Sequence, residues 1–120
     1  MAVATLESLA RASLNRDSLR VRSLAQDLLR STKNFATLPR PTTNDAQLLV
    51  VAAALAELLA LRQRQTPPAW TQEIGPLKEP FFLLEAAERM RHLRMLCETQ
   101  SPEPLRKRGL LAPPNFLEFA

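Results

Sequence analysis

The chain has 120 residues, which is enough for one domain with a single hydrophobic core. It contains two glycines and no tyrosine, and no run alternates apolar and polar residues with β-branched side chains, so the composition argues against a β-rich fold. The formal net charge of +4 is modest and lies in residues 1–40, which carry seven basic and three acidic side chains. A single cysteine excludes a disulfide within these residues. We therefore expect an all-α protein of a reducing cytoplasm.

Residues 5–33 are predicted to be helical, and the apolar stripe is clearest in their second half. That stripe consists of Val21, Leu24, Ala25, Leu28 and Leu29. If the helix were continuous, Asp17 would fall among its apolar positions. We therefore expect a break near Asn15, with Asp17 capping a second helix.

Residues 45–65 are predicted to form a central helix, and Asn44 is its expected N-cap. From 48 to 61 every residue is apolar except Glu57. The fourteen residues of this apolar run rise about 21 Å as a helix, which is less than the ~30 Å hydrocarbon core of a bilayer. Protein rather than lipid should therefore surround the run. We expect Glu57, near the end of the helix, to reach solvent or Arg64.

Residues 66–82 carry four prolines and one glycine, which predicts a stiff, extended segment. The segment also contains Trp70, Phe81 and Phe82, so it is too apolar for a free linker and should lie across a surface. Residues 83–99 are predicted to return to helix. One face of that helix is apolar and comprises Leu83, Ala86, Ala87, Met90, Leu93, Leu96 and Cys97.

The remaining residues predict a short helix closed by Gly109 and a proline-rich tail that carries Phe116 and Phe119. The predicted organisation is one domain over 1–120, with a small helical bundle whose buried central helix spans about 45–65. The helical core covers 1–65, the extended segment covers 66–82, and a helix with its tail covers 83–120.

The sequence contains no recognisable catalytic or metal-binding set. His92 is the only histidine and stands among arginines, which disfavour a metal cation. Cys97 continues an apolar stripe, which favours a buried and inert thiol. No acid–base pair, nucleophile or ligand set can be assembled, so we predict a protein that is not an enzyme, with no catalytic residue, cofactor or metal.

The positions of the aromatic residues are more informative about function than those of the polar residues. Five of the six lie beyond residue 69, close to prolines and in segments with few expected backbone bonds. Either these segments fold back and seal the core, or part of them lies on another protein, where tryptophan and arginine often dominate the binding energy. The predicted partner-binding residues are Trp70, Phe81, Phe82, Arg106, Lys107, Arg108, Phe116 and Phe119.

Two strings in the second half of the chain resemble a known group of proteins. The first runs Pro-Pro-Ala-Trp-Thr to Glu-Pro-Phe-Phe-Leu over 67–83, and the second runs Ser-Pro-Glu-Pro-Leu-Arg-Lys-Arg-Gly-Leu-Leu-Ala-Pro-Pro-Asn-Phe-Leu over 101–117. They resemble small bacterial proteins associated with nucleotidyltransferase-like toxins. The matching positions are Trp70, Phe81, Arg106, Arg108 and Phe116. The resemblance implies an antitoxin or accessory role and names no catalytic residue.

The leading hypothesis is a non-enzymatic interaction protein, an antitoxin-like partner that covers a bacterial enzyme with 66–82 and 101–120. The first alternative is a dimeric DNA-binding regulator that uses the basic amino-terminal helices, although the interleaved acidic residues do not favour nucleic acid. The second alternative is a structural subunit that binds its own copies through the alanine-rich face of the central helix. No membrane partner is expected.

Overall fold

A computed structural model describes residues 5–117 and shows a mostly helical chain, which confirms the predicted helical class. The five helices are α1 (Leu6–Leu14), α2 (Ser18–Ser31), α3 (Ala46–Arg62), α4 (Arg91–Gln100) and α5 (Glu103–Arg106). Single 3₁₀ turns cover Phe35–Thr37, Ala69–Glu73 and Glu85–Glu88, and two short strands are β1 (Phe81–Phe82) and β2 (Leu110–Leu111).

The break predicted in the first helical region is confirmed. Helix α1 begins at a capping box between Thr5 and Ser8, and it ends before Arg16, whose φ of 57° turns the backbone into the left-handed region. The carboxylate of Asp17 then accepts from the amide of Arg20 at 3.2 Å and caps α2. Helix α1 packs against both α2 and α3, so this corner fixes where the amino-terminal helices lie.

Helix α3 lies at the centre of the described chain. Twelve of its 17 residues are buried, and α1, α5 and the 3₁₀ turns at Phe35–Thr37 and Ala69–Glu73 pack around it. The expected cap at Asn44 is wrong: Asp45 caps the helix instead, accepting from the amides of Gln47 and Leu48 at 3.0 and 3.2 Å. The structure thus surrounds most of the apolar run with protein, as the run predicts, and leaves Leu61 at its end exposed.

Strands β1 and β2 form a parallel pair, whereas the sequence predicts no strand. Phe81 pairs with Leu110 and Phe82 with Leu111. Gly109, with a φ of 79°, ends the turn after α5 and leads the chain into β2, as its expected left-handed conformation predicts. The pair joins the end of the extended segment to the tail.

The predicted helix over 83–99 is wrong in its first half. The amide of Leu83 donates to the carbonyl of Leu111 at 2.9 Å, so Leu83 continues the strand ladder and cannot start a helix. A 3₁₀ turn follows at Glu85–Glu88, Met90 is extended, and α4 begins only at Arg91. The tertiary ladder therefore overrides the local helical pattern.

The expected apolar face of this region is also only partly buried. In α4 only Cys97 is buried, while Leu93 and Leu96 are half-buried. Met90 is 57% exposed, because the break before α4 removes it from the stripe that the sequence predicts.

Candidate protein-interaction surface

Three of the predicted partner-binding residues already pack within the chain. Trp70 is half-buried and donates its Nε1 hydrogen to the carbonyl of Leu38 at 2.8 Å. Phe116 is buried, and its carbonyl accepts from the guanidinium of Arg62. Arg108 is only 3% exposed. These contacts hold the extended segment and the tail on the core; partner binding by these residues stays a prediction.

The other predicted residues lie at or near the surface, with one exception. Arg106 and Lys107 are exposed, and Phe81 and Phe82 are half-buried. Phe119 lies outside the described residues.

A buried ion pair connects Arg108 to the central helix. Its Nη2 atom donates both to the carboxylate of Glu57 and, at 2.8 Å, to the carbonyl of Thr71. Its Nη1 atom donates to the carbonyl of Pro104 at 3.3 Å. Lys107 adds a second ion pair to Glu57 at 2.7 Å. One guanidinium therefore joins α3, the 3₁₀ turn at Ala69–Glu73 and α5.

Glu57 does not reach Arg64 or open solvent as expected. Burial by itself raises the pKa of Glu57, but hydrogen bonds from Arg108 and Lys107, together with their charges, outweigh it and hold the pKa below its ordinary 4.5. A carboxylate kept ionised by two cations is poorly suited to act as a general acid or base near neutral pH. The geometry makes Glu57 a structural partner of Arg108.

The aromatic pair of β1 lies beside two arginines. The guanidinium of Arg16 stands 4.8 Å from the ring centre of Phe81, and that of Arg94 stands 5.7 Å from the ring centre of Phe82. Both distances lie within the range of cation–π attraction. Arg16 also donates to the carbonyl of Phe82 at 3.0 Å. Phe82 is thereby placed next to α4.

The outer face of α4 carries apolar and basic side chains together. Met95 is 51% exposed, and Met90 at the N-cap is more exposed still. Around them stand three arginines, none of which is buried: Arg89, Arg91 and Arg94. We call the set formed by Phe82, Arg89, Met90, Arg91, Arg94 and Met95 the α4 surface.

A groove of about 460 Å³ crosses the α4 surface, between the 3₁₀ turn at Glu85–Glu88 and the helix. Its charged and apolar walls are Glu88, Arg89, Arg91, Arg94, Met95 and Glu98. Glu88 is engaged from outside the groove, because Arg16 donates to its carboxylate at 2.8 Å. The groove offers guanidinium donors and a flexible thioether to whatever enters it.

Most of this surface is not predicted from the sequence, because the helical pattern over 83–99 places Met90 on a buried stripe. The signal that would have found it is the run from Arg89 to Arg94, in which three arginines occur with no acidic residue. Together with methionine, arginine is enriched at protein interfaces relative to the rest of the surface. Of the residues on the α4 surface, Phe82 alone is among the predicted partner-binding residues, because it is aromatic.

Cys97 lies on the inner side of α4 and is fully buried. Burial raises the pKa of its thiol, and the charge of Glu98 raises it further, so the thiolate needed for nucleophilic attack is disfavoured. Within residues 5–117 no group of three or more histidine, cysteine or acidic side chains is placed to hold a metal ion. No helix in the same range is long and apolar enough to cross a bilayer.

The chain matches no protein-family model, and comparisons with curated proteins and with solved structures return no relative.

Proposed function

We propose that the protein is a non-enzymatic interaction module whose protein partner docks on the α4 surface. The observation that carries this proposal is the pairing of two half-exposed methionines with three surface arginines beside one groove. Methionine side chains are flexible and polarisable and adapt to an apolar partner, while arginine forks give directional bonds.

The extended segment and the tail support the proposal in a different way from the direct partner contacts that the sequence predicts. Arg108 and Phe116 are buried in contacts within the chain, so they hold the tail in place and leave other residues to meet a partner. Phe82 remains half-buried beside Arg94 and extends the α4 surface toward β1. A docked partner would then cover β1 and α4 together.

The resemblance of 67–117 to proteins associated with nucleotidyltransferase-like toxins suggests the class of partner. In an antitoxin-like role, the module would inhibit a bacterial enzyme by covering its active-site face with the α4 surface. This role needs no catalytic group on the module.

Site-specific photo-crosslinking in the host cell tests the proposal. A photoreactive amino acid at position 95 should give one dominant adduct with a second protein. The matched control places the same amino acid at position 19, since Leu19 on α2 is 83% exposed and lies outside the α4 surface.

The mass of the adduct distinguishes the alternatives. An adduct of twice the chain mass would replace the proposal with self-association, and DNA attached at position 19 would favour the regulator that uses the amino-terminal helices. Identical products at positions 95 and 19, or no adduct at position 95, would contradict docking on the α4 surface.

A further inference from the structure

The groove beside α4 contains donors that the chain itself does not satisfy. Among the described side chains, none forms an ion pair or hydrogen bond with the guanidinium of Arg89 or Arg91. Arg94 is partly engaged, since it donates to the carbonyl of Glu88 at 3.3 Å and stands over Phe82. Two guanidinium groups that line the groove are therefore available to an outside acceptor.

The acidic walls of the groove do not cancel this charge. The carboxylate of Glu88 is bound by Arg16, so Glu98 is the acidic wall that remains without such a partner. Three arginines line the groove. Since the charge of Glu88 is compensated by Arg16, only Glu98 opposes them, and the net charge of the groove is positive. A ligand with complementary charge must be acidic.

We infer that the segment docking on the α4 surface is an acidic, amphipathic stretch of the partner protein, which rests on the proposed function. Its carboxylates accept from Arg89 and Arg91, because a planar guanidinium matches a carboxylate through two parallel bonds. A large apolar side chain of the same segment packs on Met95. The α4 surface thus selects partners by charge as well as by shape.

Nucleic acid fits the same surface less well. A phosphate backbone places a negative charge at every step, and one passing along the groove would meet Glu98. Met90 and Met95 offer no charge to a phosphate, whereas they can cover an apolar side chain. An acidic protein segment uses the arginines and the methionines together.

The test uses the full chain and two synthetic peptides. The first is an acidic amphipathic helix built from glutamate, leucine and alanine, and the second has glutamine at every glutamate position. Titration into isotopically labelled protein, followed by NMR, should shift the amides of residues 87–98 with the acidic peptide. The glutamine peptide should bind at least about tenfold more weakly than the acidic peptide. Raising NaCl from about 50 to about 500 mM should weaken the binding of the acidic peptide, because salt screens its charges.

A matched pair of charge reversals locates the effect. Arg91→Glu should weaken binding of the acidic peptide about tenfold or more. Arg20→Glu makes the same change of net charge on α2, at an exposed arginine with no ion-pair partner among the described residues, and should change the affinity less than about twofold. Both positions are exposed, so both variants should fold.

Three results would overturn the inference: equal losses in the two variants, equal binding of the two peptides, or a DNA duplex that shifts residues 87–98 more strongly than the acidic peptide does. The inference and the proposed function fail separately. A partner crosslinked at position 95 while the acidic peptide leaves residues 87–98 unmoved would keep the interaction role and remove the acidic segment. An acidic peptide bound at the α4 surface without any adduct in the cell would contradict the interaction role alone.

Discussion

Helices α3 and α4 are both rich in apolar side chains, yet the protein treats them in opposite ways. Helix α3 buries twelve of its 17 residues, whereas α4 buries one of its ten. Most apolar side chains of α3 are enclosed by neighbouring elements, with Leu61 at its end exposed, whereas those of α4 other than Cys97 are half-buried or exposed. Helix α3 is therefore covered mainly from within the chain, while most of α4 remains open to solvent.

Breaking the ion pair between Glu57 and Arg108 should have the largest effect on stability, because this ion pair connects the tail to α3. Arg108→Met should lower the free energy of unfolding by about 3–5 kcal/mol, since it leaves two buried carbonyls without their donor and the carboxylate of Glu57 with Lys107 as its remaining cation. Urea denaturation measures the loss.

The control for Arg108→Met is the neighbouring, exposed Arg106→Met, which should change stability by no more than about 0.5 kcal/mol. If Arg108→Met does not fold, the double variant Glu57→Met with Arg108→Met should recover stability, because it removes both charges together. Equal denaturation midpoints for the Arg106 and Arg108 variants would show that the ion pair does not hold the tail.

A pair of truncations compares the two helices directly. Leu55→Ala in α3 should cost about 2–5 kcal/mol, because it leaves a cavity where the leucine is fully buried. Met95→Ala in α4 should cost no more than about 0.5 kcal/mol, because that side chain is already half in water. Thermal and urea unfolding of both variants provide the measurement, and similar losses would contradict the contrast between the helices.

The bond between Trp70 and Leu38 gives a smaller effect. Trp70→Phe keeps most of the ring and removes the donor to the carbonyl of Leu38, so it should cost about 1 kcal/mol. Circular dichroism follows unfolding here, since Trp70 is the only tryptophan. An unchanged midpoint would mean that water replaces the indole donor without loss and that this bond does not anchor the extended segment.

The smallest effect comes from titrating one carboxylate. Because the pKa of Glu57 is lower in the folded chain than its ordinary 4.5, its ionisation stabilises the fold above about pH 4.5, and this stabilisation is lost as the pH falls through the folded-state value. The wild type should therefore exceed Glu57→Gln in stability near neutral pH, and the gap should narrow in acid. Denaturation of both proteins across this range checks the sign; a gap that stays constant would exclude an ionised Glu57 as its source.

The parts of the fold that local chemistry controls could be predicted from the sequence. The apolar run of α3 has no polar face, so in water it must be buried against other parts of the protein. The carboxylate of Asp17 would have fallen on the apolar side of an unbroken helix, which predicts the break between α1 and α2. In both cases the deciding residues are close in sequence, within one continuous stretch of the chain. The prediction therefore needed no knowledge of distant contacts.

The missed features depend on contacts between distant parts of the chain. Arg108 belongs to a run of three basic residues, and only its position relative to Glu57, 51 residues away, turns it inward. Strands β1 and β2 have two residues each, which is too short for any alternation to appear. The exposure of Met90 follows from those strands, because the ladder through Leu83 delays the start of α4.

The parallel pairing of β1 with β2 has a consequence for engineering. The pair fastens both ends of the stretch that contains α4, and within the helix only Cys97 is buried. This arrangement suits an exchangeable cassette: a foreign helix of similar length that keeps the buried cysteine at position 97, spliced between Arg89 and Gln100, should be displayed at a fixed place while the rest of the chain folds unchanged.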